Sequence, residues 1–252
     1  MSSKARKRRR NNDDRNNQKH YALDTKINLE IKPIYPLTKN QELAFKSYPK
    51  KNMFLYGTAG TGKSFIASGL AFEEIFSQSS PYKKLVIVRS LVQTREMGHL
   101  PGKPAEKAQE YEAPYQAICA ELFGRADAYS ILKQKGFVSF ISTSFIRGIT
   151  LNDCIVLVDE CQNMTAHELH SVITRAGSVC KFIFAGDLKQ VDLNKRKEYS
   201  GLADFMKIIK AMNCFEFIEF KEEDIVRGPL VKSYIITRNR LEDSGHIEHM
   251  LL

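Results

Sequence analysis

No apolar run in the 252 residues approaches the roughly 20 needed to cross a bilayer, which sets the membrane-spanning class aside. The basic start runs into Asn, Asp and Arg rather than an apolar stretch, so no secretory leader is expected. Five cysteines (Cys119, Cys154, Cys161, Cys180 and Cys214) include no C-x-x-C pair. That lack excludes a zinc framework or a disulfide scaffold and suits a reduced protein of the cytoplasm. Internal repeats are absent as well.

What is present is enough apolar material for a core: 43% hydrophobic against 27% charged residues, near the globular average. Net charge is +9 and unevenly spread. Residues 1–20 carry eight Lys or Arg, Arg8, Arg9 and Arg10 among them, against Asp13 and Asp14. Residues 1–26 therefore read as a disordered basic tail and 27–252 as a single domain. Such a tail attracts phosphate backbones without regard to sequence, or simply keeps the chain solvated.

From Ile27 to Lys32 apolar and polar residues alternate, which predicts a half-buried strand ended by Pro33 and Pro36. Further strands are predicted at Met53–Tyr56, Leu85–Arg89, Phe137–Ile141, Cys154–Val158, Phe182–Ala185 and Phe215–Ile218. Their near-continuous apolar runs suit strands covered on both faces. Helices are predicted at Thr38–Tyr48, Lys63–Phe76, Ala105–Phe123, Thr165–Ala176, Gly201–Ala211 and Pro229–Arg240. The alternation indicates an α/β fold, a mostly parallel sheet with helices on both faces.

Gly57-Thr58-Ala59-Gly60-Thr61-Gly62-Lys63-Ser64 follows an apolar strand and opens a helix. This G-x-x-x-x-G-K-S pattern is a phosphate loop: glycines let backbone N–H groups curl around phosphate oxygens. Lys63 would neutralise the β- and γ-phosphates, Ser64 would bind Mg²⁺, and the helix offers its positive end to the anion.

A second buried strand ends in Asp159-Glu160. Asp159 would support the Mg²⁺ and Glu160 would polarise the attacking water. A third leads into Gly186-Asp187-Leu-Lys-Gln190, where Gln190 could sense the γ-phosphate and Asp187 could support the metal. Together these look like a superfamily 1 helicase-type ATPase core. Thr38-Lys-Asn-Gln41 fits a capping box, while Gln41 could also bond the adenine edge. Arg227 precedes a helix with Pro229 at its first position and could act as an arginine finger. Arg89 and Arg147 could touch nucleotide or nucleic acid. His167-Glu168-Leu169-His170 is not H-E-x-x-H and reads as a solvated helix face.

From Leu37 to Leu241 the chain resembles the PhoH-like (phosphate-starvation-inducible) ATPases, in the short form carried by some bacteriophages. The likeness rests on Asn40-Gln41, Gly57–Ser64, Arg89, Glu96-Met-Gly98-His-Leu-Pro-Gly102 with Glu106-Lys107, Arg147-Gly148, Asp159-Glu-Cys-Gln-Asn163, Gly186-Asp-Leu-Lys-Gln190 and Val226-Arg227-Gly-Pro-Leu230. Cys161 stands where Ala is common and Gly228 where His is usual. The resemblance implies a RecA-like core similar to the first motor domain of superfamily 1 helicases. No added nuclease or RNA-binding domain is visible, so ribonuclease activity does not carry over.

One phosphate loop and one Asp-Glu pair provide for one motor domain only. The expectation is a Mg²⁺-dependent ATPase coupled to RNA or single-stranded DNA. The partner expected beyond nucleic acid is a second copy, in a ring such as a hexamer where a neighbour supplies Arg227. The rivals are a nucleotide-dependent switch with little turnover and a small-molecule P-loop kinase. Gln162-Asn163 after the acid pair and the Gly186–Gln190 motif count against the kinase.

Overall fold

The computed structural model describes residues 29–91, 104–187 and 201–247. Six strands form one sheet: β1 (Asn52–Gly57), β2 (Lys84–Arg89), β3 (Val138–Ser142), β4 (Cys154–Val158), β5 (Cys180–Gly186) and β6 (Phe215–Phe220). Their spatial order is β3-β2-β4-β5-β1-β6, and every neighbouring pair is parallel. The helices are α1 (Lys39–Ser47), α2 (Lys63–Ile75), α3 (Pro104–Phe123), α4 (Ala128–Gln134), α5 (Ala166–Ile173), α6 (Leu202–Ala211) and α7 (Pro229–Asp243). Among the described residues no helix is long and apolar enough to cross a membrane.

Each strand feeds two cores because its side chains alternate between faces. In β4, Ile155 and Leu157 join Leu70 of α2, Leu122 of α3 and Leu132 of α4. Cys154, Val156 and Val158 join Leu169 of α5 with Phe205 and Ile209 of α6. On this second face an aromatic row crosses three strands. Phe184 stacks on Phe54 at 5.7 Å, and Phe54 on Phe217 at 5.2 Å.

The wiring explains where a ligand can sit. The connections from β1 to β2 and from β2 to β3 step toward one edge of the sheet, and their helices cover the first face. The later connections step back toward the other edge, with α5 and α6 on the second face. Right-handed crossovers demand this division. The chain therefore leaves β1 toward one face and β4 and β5 toward the other. A crevice opens where those exits diverge, at the carboxyl ends of the strands.

One expectation needs correction, and one helix was missed. Leu29–Ile31 is not a strand: Leu29 and Ile31 are buried and Glu30 exposed, as the alternation implies, but no ladder forms there. The segment is fastened instead by the Lys32 N–H donating to the Leu122 carbonyl at 2.8 Å. Helix α4 was not expected. Its seven residues are too few for a periodic signal, and it is held by Tyr129 and Lys133 bonding to the buried Glu112 of α3. The tail expected at residues 1–26 lies outside the described residues.

Gly57 ends β1 at φ 112°, and a Cβ there would collide with the carbonyl oxygen of Phe220 on β6. Gly57→Ala is expected to cost about 2 kcal/mol or more in urea denaturation. An unchanged midpoint would show that the β1–β6 edge can yield.

Candidate active site

The loop after β1 turns on Gly62, which adopts φ 81° and caps α2 without any side-chain hydrogen bond. The first N–H groups of α2 are thus left for an anion. Inside the loop, the Thr61 hydroxyl donates to the Thr58 carbonyl at 3.0 Å. The Lys63 ammonium folds back, donating to the carbonyls of Gly57 (2.9 Å) and Thr58 (2.8 Å). Burial pushes its pKa down, while the carboxylates of Asp187, Glu160 and Asp159 act to hold it up.

Asp159 follows β4 and is only 5% exposed. Its two oxygens accept from the Ser64 hydroxyl at 2.8 Å and the Tyr115 hydroxyl at 2.7 Å. Burial raises its pKa and the neighbouring Glu160 adds to that. The two hydroxyl bonds and the positive charge of Arg89 act in the opposite direction. Glu160 sits in the left-handed region at φ 51°, turning the chain into a short 3₁₀ turn at Cys161–Asn163. The Gln162 amide then donates to Glu160 at 2.5 Å and accepts from the backbone N–H of Asp187 at 3.0 Å.

These groups open on a cleft of about 660 Å³ whose wall includes Gln41, residues 59–64, Arg89, Asp159, Glu160, Asp187 and Arg227. Most of the residues singled out in the sequence therefore meet at one place. Arg227 belongs to this chain's own cleft: the Val226 N–H donates to the Gly60 carbonyl at 3.1 Å, and the Arg227 Cγ lies against Gly60. No neighbouring subunit is needed to bring it there.

Gln41 is 2% exposed. Its amide accepts from the Leu37 N–H at 2.7 Å and donates to the Thr61 carbonyl at 3.1 Å. Only half of the expected capping box forms, since Thr38 caps Gln41 N while Gln41 reaches Leu37 instead. Arg89 lies in the cleft wall, with its guanidinium 5.6 Å from the Tyr111 ring. Arg147 is outside the cleft, exposed, and 2.6 Å from His167. Glu168 is a working helix cap, completing a capping box with Thr165 and accepting from Ser90 and Thr143. Gln190, Arg8, Arg9 and Arg10 lie outside the described residues.

Two partners were missed. Gln162 had a signal, being adjacent to the acid pair. Tyr115 had none, since nothing in a helical stretch 44 residues upstream marks it as Asp159's partner.

The donor set suits Mg²⁺. Among the described residues no three His, Cys, Asp or Glu side chains form a metal cluster by themselves. One hydroxyl and one carboxylate, joined at 2.8 Å, leave a hard cation to complete its shell from water and phosphate oxygens.

A six-stranded parallel sheet carrying a phosphate loop on one strand and an acid pair two strands away defines a RecA-like P-loop NTPase fold. Residues 33–237 match the family model described as PhoH-like protein. The chain belongs to that family. It is 34% identical over 184 residues to a PhoH-like protein of Bacillus subtilis, covering 73% of this chain and 56% of the relative. To one from Synechocystis it is 31% identical, covering 82% and 63%. To Protein PhoH of Escherichia coli K12 it is 31% identical, covering 72% and 51%. The chain thus spans between half and two thirds of the relatives it matches. Among solved structures it is similar to the Pyrococcus furiosus Hef helicase domain, with TM-score 0.42 and 16% identity over 75% of this chain and 40% of that one. The Candida albicans Pif1 helicase gives TM-score 0.37 and 15% identity over 75% and 40%.

A raised carboxylate pKa means that the ionised form of Asp159 weighs against the ligand-free fold above the ordinary carboxylate range. Asp159→Asn is therefore expected to stabilise the ligand-free protein by about 1 kcal/mol at neutral pH. A lower urea midpoint would mean that the Ser64 and Tyr115 bonds outweigh the burial of charge.

Proposed function

We propose that the cleft binds ATP with Mg²⁺ and hydrolyses it, and that turnover is coupled to RNA or single-stranded DNA. The observation that carries this reading is the Ser64–Asp159 hydrogen bond with Glu160 and Lys63 beside it. A binding loop and a water-activating acid are thereby brought to one wall of one cleft. Ser64 and Asp159 would hold Mg²⁺, which would supply positive charge to offset that of the phosphates.

The chain's own groups do the rest. Lys63 exchanges two carbonyls of its loop for phosphate oxygens, which are stronger acceptors for an ammonium. Ser64 and Asp159 present hard oxygens to the cation. Glu160 accepts a proton from the attacking water while Gln162 fixes its carboxylate. Arg227, which lies beside Gly60 in the cleft wall, offsets charge developing on the transferred group. Gln190 keeps its sequence-based part as reporter of the γ-phosphate. Gln41, read from the sequence as bonding the adenine edge, would do so with the one amide hydrogen left after its bonds to Leu37 and Thr61.

Arg147 outside the cleft and Arg8, Arg9 and Arg10 of the tail are the cations offered to a nucleic-acid backbone. A second copy of the chain, up to a hexameric ring, belongs to the same reading, although Arg227 does not require it.

Glu160→Gln should retain ATP affinity within about threefold and lose at least about 100-fold in turnover. Undiminished turnover would remove Glu160 from the chemistry. Arg227→Ala should cost on the order of 10³-fold, and a loss under tenfold would make it structural. Hydrolysis measured against a panel of RNA and DNA, with and without residues 1–26, tests the coupling. Binding without multiple turnovers under every condition would favour the switch reading.

A further inference from the structure

Helix α3 covers the first face of the sheet, and its Tyr115 is 1% exposed. The ring packs toward Phe140 of β3 at 6.1 Å, as a core residue would. Its hydroxyl does something a core residue need not do. It reaches the carboxyl end of β4 and donates to Asp159 Oδ2 at 2.7 Å, opposite the Ser64 hydroxyl on Oδ1. A carboxylate held on both oxygens cannot rotate about its Cβ–Cγ bond without breaking a charge-assisted hydrogen bond. Four residues earlier, Tyr111 lies beside Arg89, whose charge also acts on Asp159. Pro114, Ala117 and Ile118 of the same helix line the cleft.

We infer that Tyr115 is a positioning residue for magnesium–nucleotide binding: its hydroxyl sets the orientation in which Asp159 meets the cation held at Ser64. This rests on the ATP–Mg²⁺ reading above. Tyr115 touches neither phosphate nor water in this role. It acts through Asp159, so its loss should alter the response to magnesium and leave metal-free nucleotide binding unchanged.

The test is Tyr115→Phe, which keeps the ring and removes one oxygen. Tyr129→Phe is its control. That variant also deletes a buried phenol hydroxyl, one that bonds to Glu112 at 2.7 Å, away from the cleft. Binding of a fluorescent ribose-labelled ATP is followed in EDTA and across a Mg²⁺ titration, with thermal melts run alongside. The expectation for Tyr115→Phe is affinity in EDTA within twofold of wild type and a Mg²⁺ half-saturation raised about tenfold, the scale of one lost hydrogen bond to a charged group. Tyr129→Phe should keep the wild-type Mg²⁺ response. Tyr115→Phe with a wild-type Mg²⁺ response, or a loss shared equally between EDTA and Mg²⁺, overturns the inference while leaving the ATPase reading standing. Wild-type affinity that ignores Mg²⁺ altogether removes that reading, and the inference with it.

Discussion

Three carboxylates and one ammonium are gathered where the exits of β1, β4 and β5 diverge, and that concentration of charge is the constraint the structure is built around. Desolvation works against Asp159 and Lys63 alike. Each is kept in place by hydrogen bonds, and a ligand could replace Ser64's for the acid and the two loop carbonyls for the ammonium, while Tyr115 keeps its hold on the acid's other oxygen. Such a site is poorly satisfied in isolation and better satisfied with a polyanion and a cation inserted. The binding energy of the ligand is thus prepared in the ligand-free fold.

The sheet makes this tolerable. Below the site, β4 is buried along its whole length, with a hydrophobic core on each face. A strand held from both sides can carry an acid pair at its end without moving when charge arrives. The exit after β4 spends its freedom on one residue. Glu160, in the left-handed region, re-aims the chain so that Gln162 can join Glu160 to the Asp187 backbone on the neighbouring strand's exit. The exits of two strands are therefore locked to each other by a single amide side chain.

Much of this was legible in the sequence, for physical reasons. Cys154–Val158 coincides with the observed strand because a run buried on both faces leaves no ambiguous ends. The phosphate loop could be read because a tight anion nest needs glycines at fixed spacing. Leu29–Ile31 misled because alternation reports burial, and burial does not require a ladder partner. Arg89 could be assigned to nucleotide or nucleic acid from sequence, and only the position of α3 beside it places it in the cleft wall. Tyr115 was invisible because its significance lies in a contact between distant segments, with no local pattern to announce it.

Helix α1 shows how such contacts assemble a site from parts that each look ordinary. At its first turn, adjacent residues hold different segments. Gln41 fastens Leu37 and the phosphate loop at Thr61, while the Asn40 amide donates to Asp224 at 2.7 Å. Asp224 also accepts from the Lys221 N–H at 2.9 Å, closing the turn that leads from β6 to Val226 and Arg227. Val226 in turn bonds to Gly60, so the path closes on the same loop that Gln41 grips. A capping sequence that would stabilise any helix has here become the joint between the phosphate loop and the segment that carries Arg227 beside it. Displacing α1 would disturb the phosphate loop and the turn before Arg227 together, since each is tied to it by a hydrogen bond rather than by packing alone.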